Sequence, residues 1–439
     1  MRLAIVGGGW AGLAAAVEGV TRGHQVTLFE MAHHPGGRAR RAGSAAPALD
    51  NGQHILIGAY TETLRLMARV GADATQLLER QPLTLAFADG EGLRLRAGEA
   101  RLAFAAAVLT RRGWRWRDRL RLLAAAAGWA GAGFRCDAAQ TVAGLAATLP
   151  ARVRADLIEP LCIAALNTPA EQASASVFLR VLHDALFAGR GSADLLLPRV
   201  DLSALWPVPA ARWLAGQGAR LHLGQRVMAI DRRGGAWLVG DTEFDGVVVA
   251  ASCAEAARLL QAHAPGWSAA ANALRHEPIV TVVLRCPGAR LPLPMLALRH
   301  GASAPAQFVF DLGRLRGLQG HFAFVVSGAS GWVARGLDAT ALATIEQARS
   351  ELVAHAPGPW SEVRSLTERR ATFLCTPGLQ RPPASVAPRL AAAGDYVAGP
   401  YPATLEGAVR SGVAAVRALD GVAAGPISGA RTAPPAARR

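Results

Sequence analysis

Lysine is missing from the chain altogether: all 47 basic side chains are arginine, set against 32 acidic ones for a net charge of +15. A mutational bias toward arginine and alanine codons explains the missing lysine but leaves the positive field in place, and such a field attracts anionic lipid headgroups or nucleic acid. No motif of interleaved aromatic and basic residues marks a nucleic-acid site, so an anionic membrane surface is the expected partner and nucleic acid is not. Charge of either sign is scarce, at 18% of residues against 51% apolar, which excludes a mostly disordered chain and suits the handling of something apolar. Cysteine is sparse too: Cys136, Cys162, Cys253, Cys286 and Cys375 form no Cys-x-x-Cys pair and are odd in number, which fits reduced thiols in a cytoplasmic protein. Hydrophobic runs long enough to cross a bilayer are also lacking. The longest, residues 122–134, has 13 residues against the ~20 a span needs. The strand-like residues 3–6 leave no room for a leader before them. The expected location is cytoplasmic, peripheral on the inner face of the membrane.

At 439 residues the chain is long enough for two large domains or for one with a second lobe inserted. Residues 2–6 read as a buried strand, 12–22 as a helix and 25–30 as a second strand, a βαβ start that favours a parallel sheet. After residue 72 the pattern changes to long Ala, Leu and Arg segments. Strand-like stretches at 227–231, 236–239 and 246–251 then return the chain to its first domain. Further strands near 279–285, 295–298, 306–311 and 322–327, with a helix at 339–355, read as an antiparallel sheet, and the glycine-punctuated block 396–418 reads as helical. The expected fold class is therefore α/β plus α+β. Parts 1–72, 206–262 and 366–422 form a Rossmann-type nucleotide-binding domain. Parts 73–205, largely helical, and 263–365, an antiparallel sheet, form the inserted lobe, and 423–439 reads as a disordered tail. No internal repeat is visible.

What is present at the start is the run Ile5-Val6-Gly7-Gly8-Gly9-Trp10-Ala11-Gly12-Leu13. Gly7 permits a tight turn, Gly9 lets the backbone approach a pyrophosphate, and Gly12 lets the helix pack on the strand. The first helical residues, Trp10 and Ala11 among them, offer free N–H groups to an anion. Glu30 ends the second strand where an acid accepts ribose hydroxyls. The next stretch, Pro35-Gly36-Gly37-Arg38, sets paired glycines and a guanidinium where a plain nicotinamide site needs neither.

With Ala393-Gly394-Asp395-Tyr396 and Pro402-Ala403-Thr404-Leu405-Glu406-Gly407-Ala408, the chain resembles the FAD-dependent amine oxidase and phytoene desaturase superfamily. That resemblance implies FAD as cofactor and an amine-oxidase-like arrangement of the Rossmann-type domain. It implies that Gly394 and Asp395 bind the pyrophosphate and ribityl region, and that Glu406, Gly407 and Ala408 start a helix aimed at the isoalloxazine. A positive helix end there stabilises the anionic reduced flavin. Gly58 and Ala59 are placed by the same resemblance at the cofactor, and Val227 at the adenine through its backbone, or as an ordinary core valine. No residue is assigned to a metal.

Four further stretches, 49–54 (Leu-Asp-Asn-Gly-Gln-His), 161–169, 195–202 and 402–412, resemble the hydroxysqualene dehydroxylases. The resemblance covers most of residues 1–420, with one departure at Gly399-Pro400-Tyr401, where a Thr-Gly-Leu type of sequence is expected. It implies reductive removal of water from hydroxysqualene, an apolar triterpenoid, with hydride from flavin N5; the source of electrons for FAD is not implied. Such chemistry needs one acid and a dry tunnel. Asp50 and His54 are the first candidates for the acid, His54 alternatively serving the loop backbone. Asp201 follows, or is a helix N-cap, and Tyr401 either donates a hydrogen bond or packs. A carotenoid desaturase or isomerase, an amine oxidase, for which no clear aromatic pair is legible, and a non-catalytic prenyl-lipid carrier are the rival readings. Residues 111–123, with Trp114 and Trp116 among arginines, have the composition of an interfacial membrane contact, or of a solvated helix face with its tryptophans in the core.

Overall fold

The first strand, β1 (Arg2–Val6), is buried from its second residue on, so it reads as a continuous apolar run with a layer on each face. It lies centrally in a six-stranded sheet. Helix α1 (Trp10–Thr21) and strand β2 (Gln25–Glu30) complete the βαβ unit, with Leu3 opposite Val26 and Val6 opposite Phe29 in parallel register. Strand Arg220–Leu223 extends the sheet beyond β2, while Gly246–Val249 and Leu390–Ala392 extend it beyond β1, all parallel. Ser385–Ala387 adds one antiparallel strand at the edge. The structure is a computed structural model, and it describes residues 1–43 and 47–421. The tail expected to be disordered, 423–439, lies outside the described residues.

One face of this sheet carries α1 and the C-terminal helix Leu405–Gly421. The two helices touch backbone to backbone at Gly412, where a Cβ would stand 2.1 Å from the Ala11 carbonyl oxygen. A second sheet of five antiparallel strands runs Met295–Ala297, Phe308–Asp311, His321–Val326, His276–Arg285 and Ser361–Phe373 in spatial order. It has its own apolar cluster, including Phe322, Phe324 and Trp360, under helix Leu337–Glu351. Helices between residues 100 and 187 form a third region, in which Arg154–Ile158 is a π-helical turn continuous with Glu159–Leu166.

Three local readings change. The strand expected at 227–231 begins only at Ile230 and runs to Arg233, so Val227 lies in the extended connection before it. The C-terminal block is helical from Leu405, not from residue 396, because Gly399, Tyr401 and Ala403 take positive φ and keep the chain irregular. Within the lobe read as largely helical, Leu195–Pro198 is the middle strand of a small sheet between Leu56–Ile57 and Leu78–Gln81.

Candidate functional site

At the mouth of β1 the chain turns at Gly7, with φ +112°, and a Cβ at Gly12 would stand 1.8 Å from the Gly7 carbonyl oxygen. Only glycine allows the helix to start this close to the strand. The first intrahelical bond runs from Leu13 N–H to the Gly9 carbonyl, 2.9 Å. The N–H groups of Trp10, Ala11 and Gly12 precede it, and no side chain caps the helix at Gly9. These donors form the anion end of α1. The segment after β2 folds over them: Gly36 N–H donates to the Gly8 carbonyl at 2.8 Å, and Gly37 lies against Gly9. Trp10 is held from the side, its Nε1–H donating to the Ala39 carbonyl at 2.9 Å.

Glu30 accepts from Gly8 N–H at 2.6 Å with one oxygen and from Ala32 N–H at 2.8 Å with the other. Its lone pairs are not exhausted by two bonds, so it still has acceptor capacity for ribose hydroxyls. Arg38, expected to reach a pyrophosphate, is engaged by protein groups. Its Nη2 pairs with Asp395 at 2.5 Å and its Nη1 donates to the Ala371 and Arg370 carbonyls at 2.7 and 3.1 Å. Asp395 beside it pushes the guanidinium pKa up, so the charge is permanent. The pair joins the Gly36-Gly37 segment to the far C-terminal part of the chain. Gly394 is fixed next to it, its N–H donating to Ser411 Oγ at 2.8 Å. Two buried donors near the cradle, Arg40 Nε and Gln53 Nε2, have no partner among the described residues. An unmet buried donor costs about 1–3 kcal/mol, and a ligand rich in acceptors, such as a flavin dinucleotide, answers that cost. The cradle residues therefore fit FAD.

Other assigned residues make contacts with distant parts of the chain. Gly58 and Ala59 give their N–H groups to the Asp194 and Ser192 carbonyls, at 2.9 and 3.0 Å, and so hold the 189–194 loop. The Glu406 side chain is fully buried and caps helix Thr61–Arg69 from outside. It accepts from Glu62 N–H, Thr63 N–H and Thr63 Oγ1 at 3.0, 2.9 and 2.6 Å, and pairs with Arg410 at 2.6 Å. Thr404 caps the C-terminal helix itself, accepting from Gly407 N–H at 3.0 Å, and Ala408 N–H bonds the Thr404 carbonyl. The Val227 carbonyl accepts from Arg258 Nη2 at 3.1 Å.

The four acid candidates separate clearly. Asp50 is buried, paired with Arg316 and bonded by Leu202 N–H at 2.9 Å, so its carboxylate is a bolt between three segments. Asp201 is the N-cap of Leu202–Leu205, accepting from Ala204 N–H at 3.0 Å. His54 Nδ1 lies 3.1 Å from the Gly52 carbonyl, which only accepts, so Nδ1 carries the proton and Nε2 is an acceptor in the neutral ring. Burial pushes the His54 pKa down, with the Arg38 charge adding to it. Tyr401 sits at φ +57° and hydrogen-bonds Asp184, and burial pushes its hydroxyl up to about 12.

Sequence reading missed the partners of Tyr401. Tyr60 meets it edge to face, ring centroids 6.1 Å apart, and Arg410 lies over its ring. The pairing of these two rings was not legible, because 341 residues separate them. Asp184 also binds His183 Nδ1 at 2.9 Å and Arg180 at 2.8 Å. The helix that carries it, Ala175–Phe187, sends Leu182 and Leu186 into an apolar cavity of about 180 Å³. Phe104, Leu122, Trp129 and Leu161 close much of the rest of that cavity.

A family model for flavin containing amine oxidoreductases matches residues 10–420. The hydroxysqualene dehydroxylase of Sinorhizobium fredii is 28% identical over 437 residues, covering 93% of this chain and 95% of its own length. That of Rhodopseudomonas palustris is 27% identical and covers 93% and 96%. The zeta-carotene desaturase of Zea mays is 36% identical over 88 residues, 19% of this chain and 15% of its own. Among solved structures, an oxidoreductase from Methanosarcina mazei aligns with a TM-score of 0.70 at 15% identity, covering 95% of this chain and 100% of its own. Cyclohexylamine oxidase from Brevibacterium oxydans aligns at 0.66 and 17% identity, covering 95% and 98%. Likeness at those identities concerns the fold. The family match starts at Trp10, the first residue of α1, and runs on through Glu30, the Gly36–Arg38 segment, the lobe and the C-terminal helix: the chain belongs to the flavin-containing amine oxidoreductases and is an oxidoreductase that uses FAD.

Proposed function

We propose that this oxidoreductase removes the hydroxyl of hydroxysqualene reductively, giving squalene and water. The observation that carries the reading is one of coverage: relatives named hydroxysqualene dehydroxylase match 93% of the chain, whereas the zeta-carotene desaturase of Zea mays matches 19%. The apolar cavity in the helical lobe supports it, because a triterpenoid needs a dry, mostly aliphatic enclosure.

The reaction breaks one C–O bond, forms one C–H bond and takes up a proton on the departing oxygen. Bound FAD, when reduced, supplies the hydride. His54 is neutral, with Nδ1–H given to Gly52, so its Nε2 accepts the O–H of the substrate and orients the hydroxyl. The proton taken up by the departing oxygen comes from bulk solvent. Burial pushes the Tyr401 hydroxyl up to about 12, so it keeps its own proton and gives a hydrogen bond to the Asp184 carboxylate. Asp184 lies on the helix that also lines the cavity, and its pKa is held down, against burial, by hydrogen bonds from His183 and Arg180. Asp50 and Asp201 are spent on structure and take no part. The lobe excludes water from the cation that forms as the hydroxyl leaves.

The test is a pair of anaerobic incubations, the photoreduced protein with hydroxysqualene and the oxidised protein with phytoene, followed by lipid analysis. Squalene appearing in the first alone supports the reading. Bound, reduced flavin with no squalene formed refutes it, and a more unsaturated polyene formed by the oxidised protein transfers the assignment to a carotenoid desaturase.

A further inference from the structure

Helices Ala100–Thr110 and Trp116–Gly131 break the rule that apolar residues turn inward. Leu102, Ala106 and Leu109 follow one another by four and three positions, so they share one helix face, and all are exposed, Leu102 at 72% and Leu109 at 49%. On the second helix Trp116 is 65% exposed and Leu120 46%. Ala124, Ala127, Gly128 and Gly131 carry that exposed side on without any charge beyond Arg121. Four of the twelve exposed large hydrophobic side chains among the described residues fall in this hairpin.

A cationic collar adjoins the apolar stripe. Residues 100–135 contain eight arginines and one acid, Asp118. Arg112, Arg115, Arg117 and Arg121 are exposed and have no carboxylate partner among the described residues. The rest of the hairpin is firmly seated. Trp114 is buried and donates Nε1–H to Asp156 at 2.9 Å, and Arg111 is buried against Asp156 at 3.3 Å. Arg119 reaches back to the Leu109 carbonyl and ties the two helices together. The Arg/Trp segment therefore divides: Trp114 and Arg111 belong to the core, and Trp116 with four arginines faces outward.

We propose that this hairpin docks on an anionic lipid bilayer, with Leu102, Leu109, Trp116 and Leu120 entering the headgroup boundary and the arginine collar engaging lipid phosphates. The charge complementarity is one-sided, and arginine side chains place their stems along apolar surface while holding their charge at the interface. A nucleic acid would match the charge but leaves the leucine stripe without a partner. The inner side of the same two helices, through Phe104, Leu122, Leu123 and Trp129, walls the apolar cavity. Docking there brings one wall of the cavity against the bilayer, which shortens the path of an apolar substrate from lipid into protein; this last step, unlike the docking, rests on the function proposed above.

The test uses the full-length flavin-loaded protein and cosedimentation with vesicles of phosphatidylcholine alone or with phosphatidylglycerol added. Two triple variants are compared with the parent: Leu109→Ser/Trp116→Ser/Leu120→Ser, and Arg115→Gln/Arg117→Gln/Arg121→Gln. Each arginine near an anionic surface strengthens binding about fivefold, so the arginine variant loses on the order of 100-fold in partition to phosphatidylglycerol vesicles. The apolar variant loses binding that added salt does not abolish. Both retain the flavin spectrum and turn over substrate presented in detergent. Parent protein that ignores phosphatidylglycerol vesicles overturns the proposal, as do variants that bind like the parent, or an RNA oligonucleotide that displaces the protein from vesicles at equal ionic strength. Vesicle binding is read without any turnover, so failure of the docking is distinct from failure of the assigned reaction.

Discussion

The glycine cradle and the helical hairpin at residues 100–131 answer opposite design problems with the same small residues. In the cradle, glycines bring backbones together and the polar groups around them are largely answered: Glu30 by Gly8 and Ala32, Arg38 by Asp395 and two carbonyls. In the hairpin, alanines and glycines face outward, leucines stand exposed and four arginines have no acidic partner among the described residues. A closed polar ledger with two orphan donors, Arg40 Nε and Gln53 Nε2, marks a site that a ligand completes. An open apolar and cationic surface marks one that another phase completes. One region is specified by local backbone geometry, the other by which side of a helix is left uncovered.

The contrast can be broken at its strongest point first. Gly12→Val sets side-chain atoms on the Gly7 carbonyl, and the protein is expected to purify without flavin; absorbance at the visible flavin bands checks it, and a fully yellow variant contradicts the cradle. Glu406→Ala strands the N–H groups of Glu62 and Thr63 and the Arg410 charge, and is expected to cost about 3–5 kcal/mol in urea unfolding. An unchanged midpoint with an altered flavin spectrum means that Glu406 serves the cofactor instead. Trp114→Phe removes a hydrogen bond to the part-buried Asp156 and is expected to cost about 1–2 kcal/mol. Trp116→Ser, two residues away, is expected to stay within about 0.5 kcal/mol of the parent, as exposed positions do. Equal losses at the two tryptophans erase the division between core and surface.

The smallest effect concerns pH. Burial lowers the His54 pKa, so on acidification the unfolded chain binds the proton first, from about pH 6.5. Stability is lost from there down through the lower folded value, by at most about 1.4 kcal/mol per pH unit. His54→Gln removes that share, and the melting temperatures of parent and variant are expected to converge as the pH falls through this window. Parallel curves imply a histidine that binds its proton alike in the folded and unfolded chains, and a parent that gains on the variant at low pH implies one that is charged in the fold.

How much of this was legible in the residue string depended on the range of the interaction. The cofactor was legible only with the distant stretches 393–396 and 402–408 added, but the βαβ start and the glycine turn of the cradle rest on contacts within some 40 residues, where spacing and glycine positions speak directly. The antiparallel sheet was legible for the same reason, as alternating apolar strands. The bonds of Glu406 to helix Thr61–Arg69 were not legible, because Glu62 lies 344 positions away in sequence. Asp50 was offered as an acid because nothing near it announces Arg316. The Asp184–Tyr401 pair was invisible for the same reason, neither residue lying in a motif with the other. Composition marked the Arg/Trp segment, but only burial separates Trp114 from Trp116.

The central claim is that the cradle delivers two electrons to a hydroxylated triterpenoid held in the lobe. Its most direct measurement is anaerobic mixing of the reduced flavoprotein with hydroxysqualene while flavin absorbance is followed. The account predicts that the oxidised spectrum returns with one squalene formed per flavin. Flavin that stays reduced in the presence of hydroxysqualene, or that reoxidises without squalene, contradicts it.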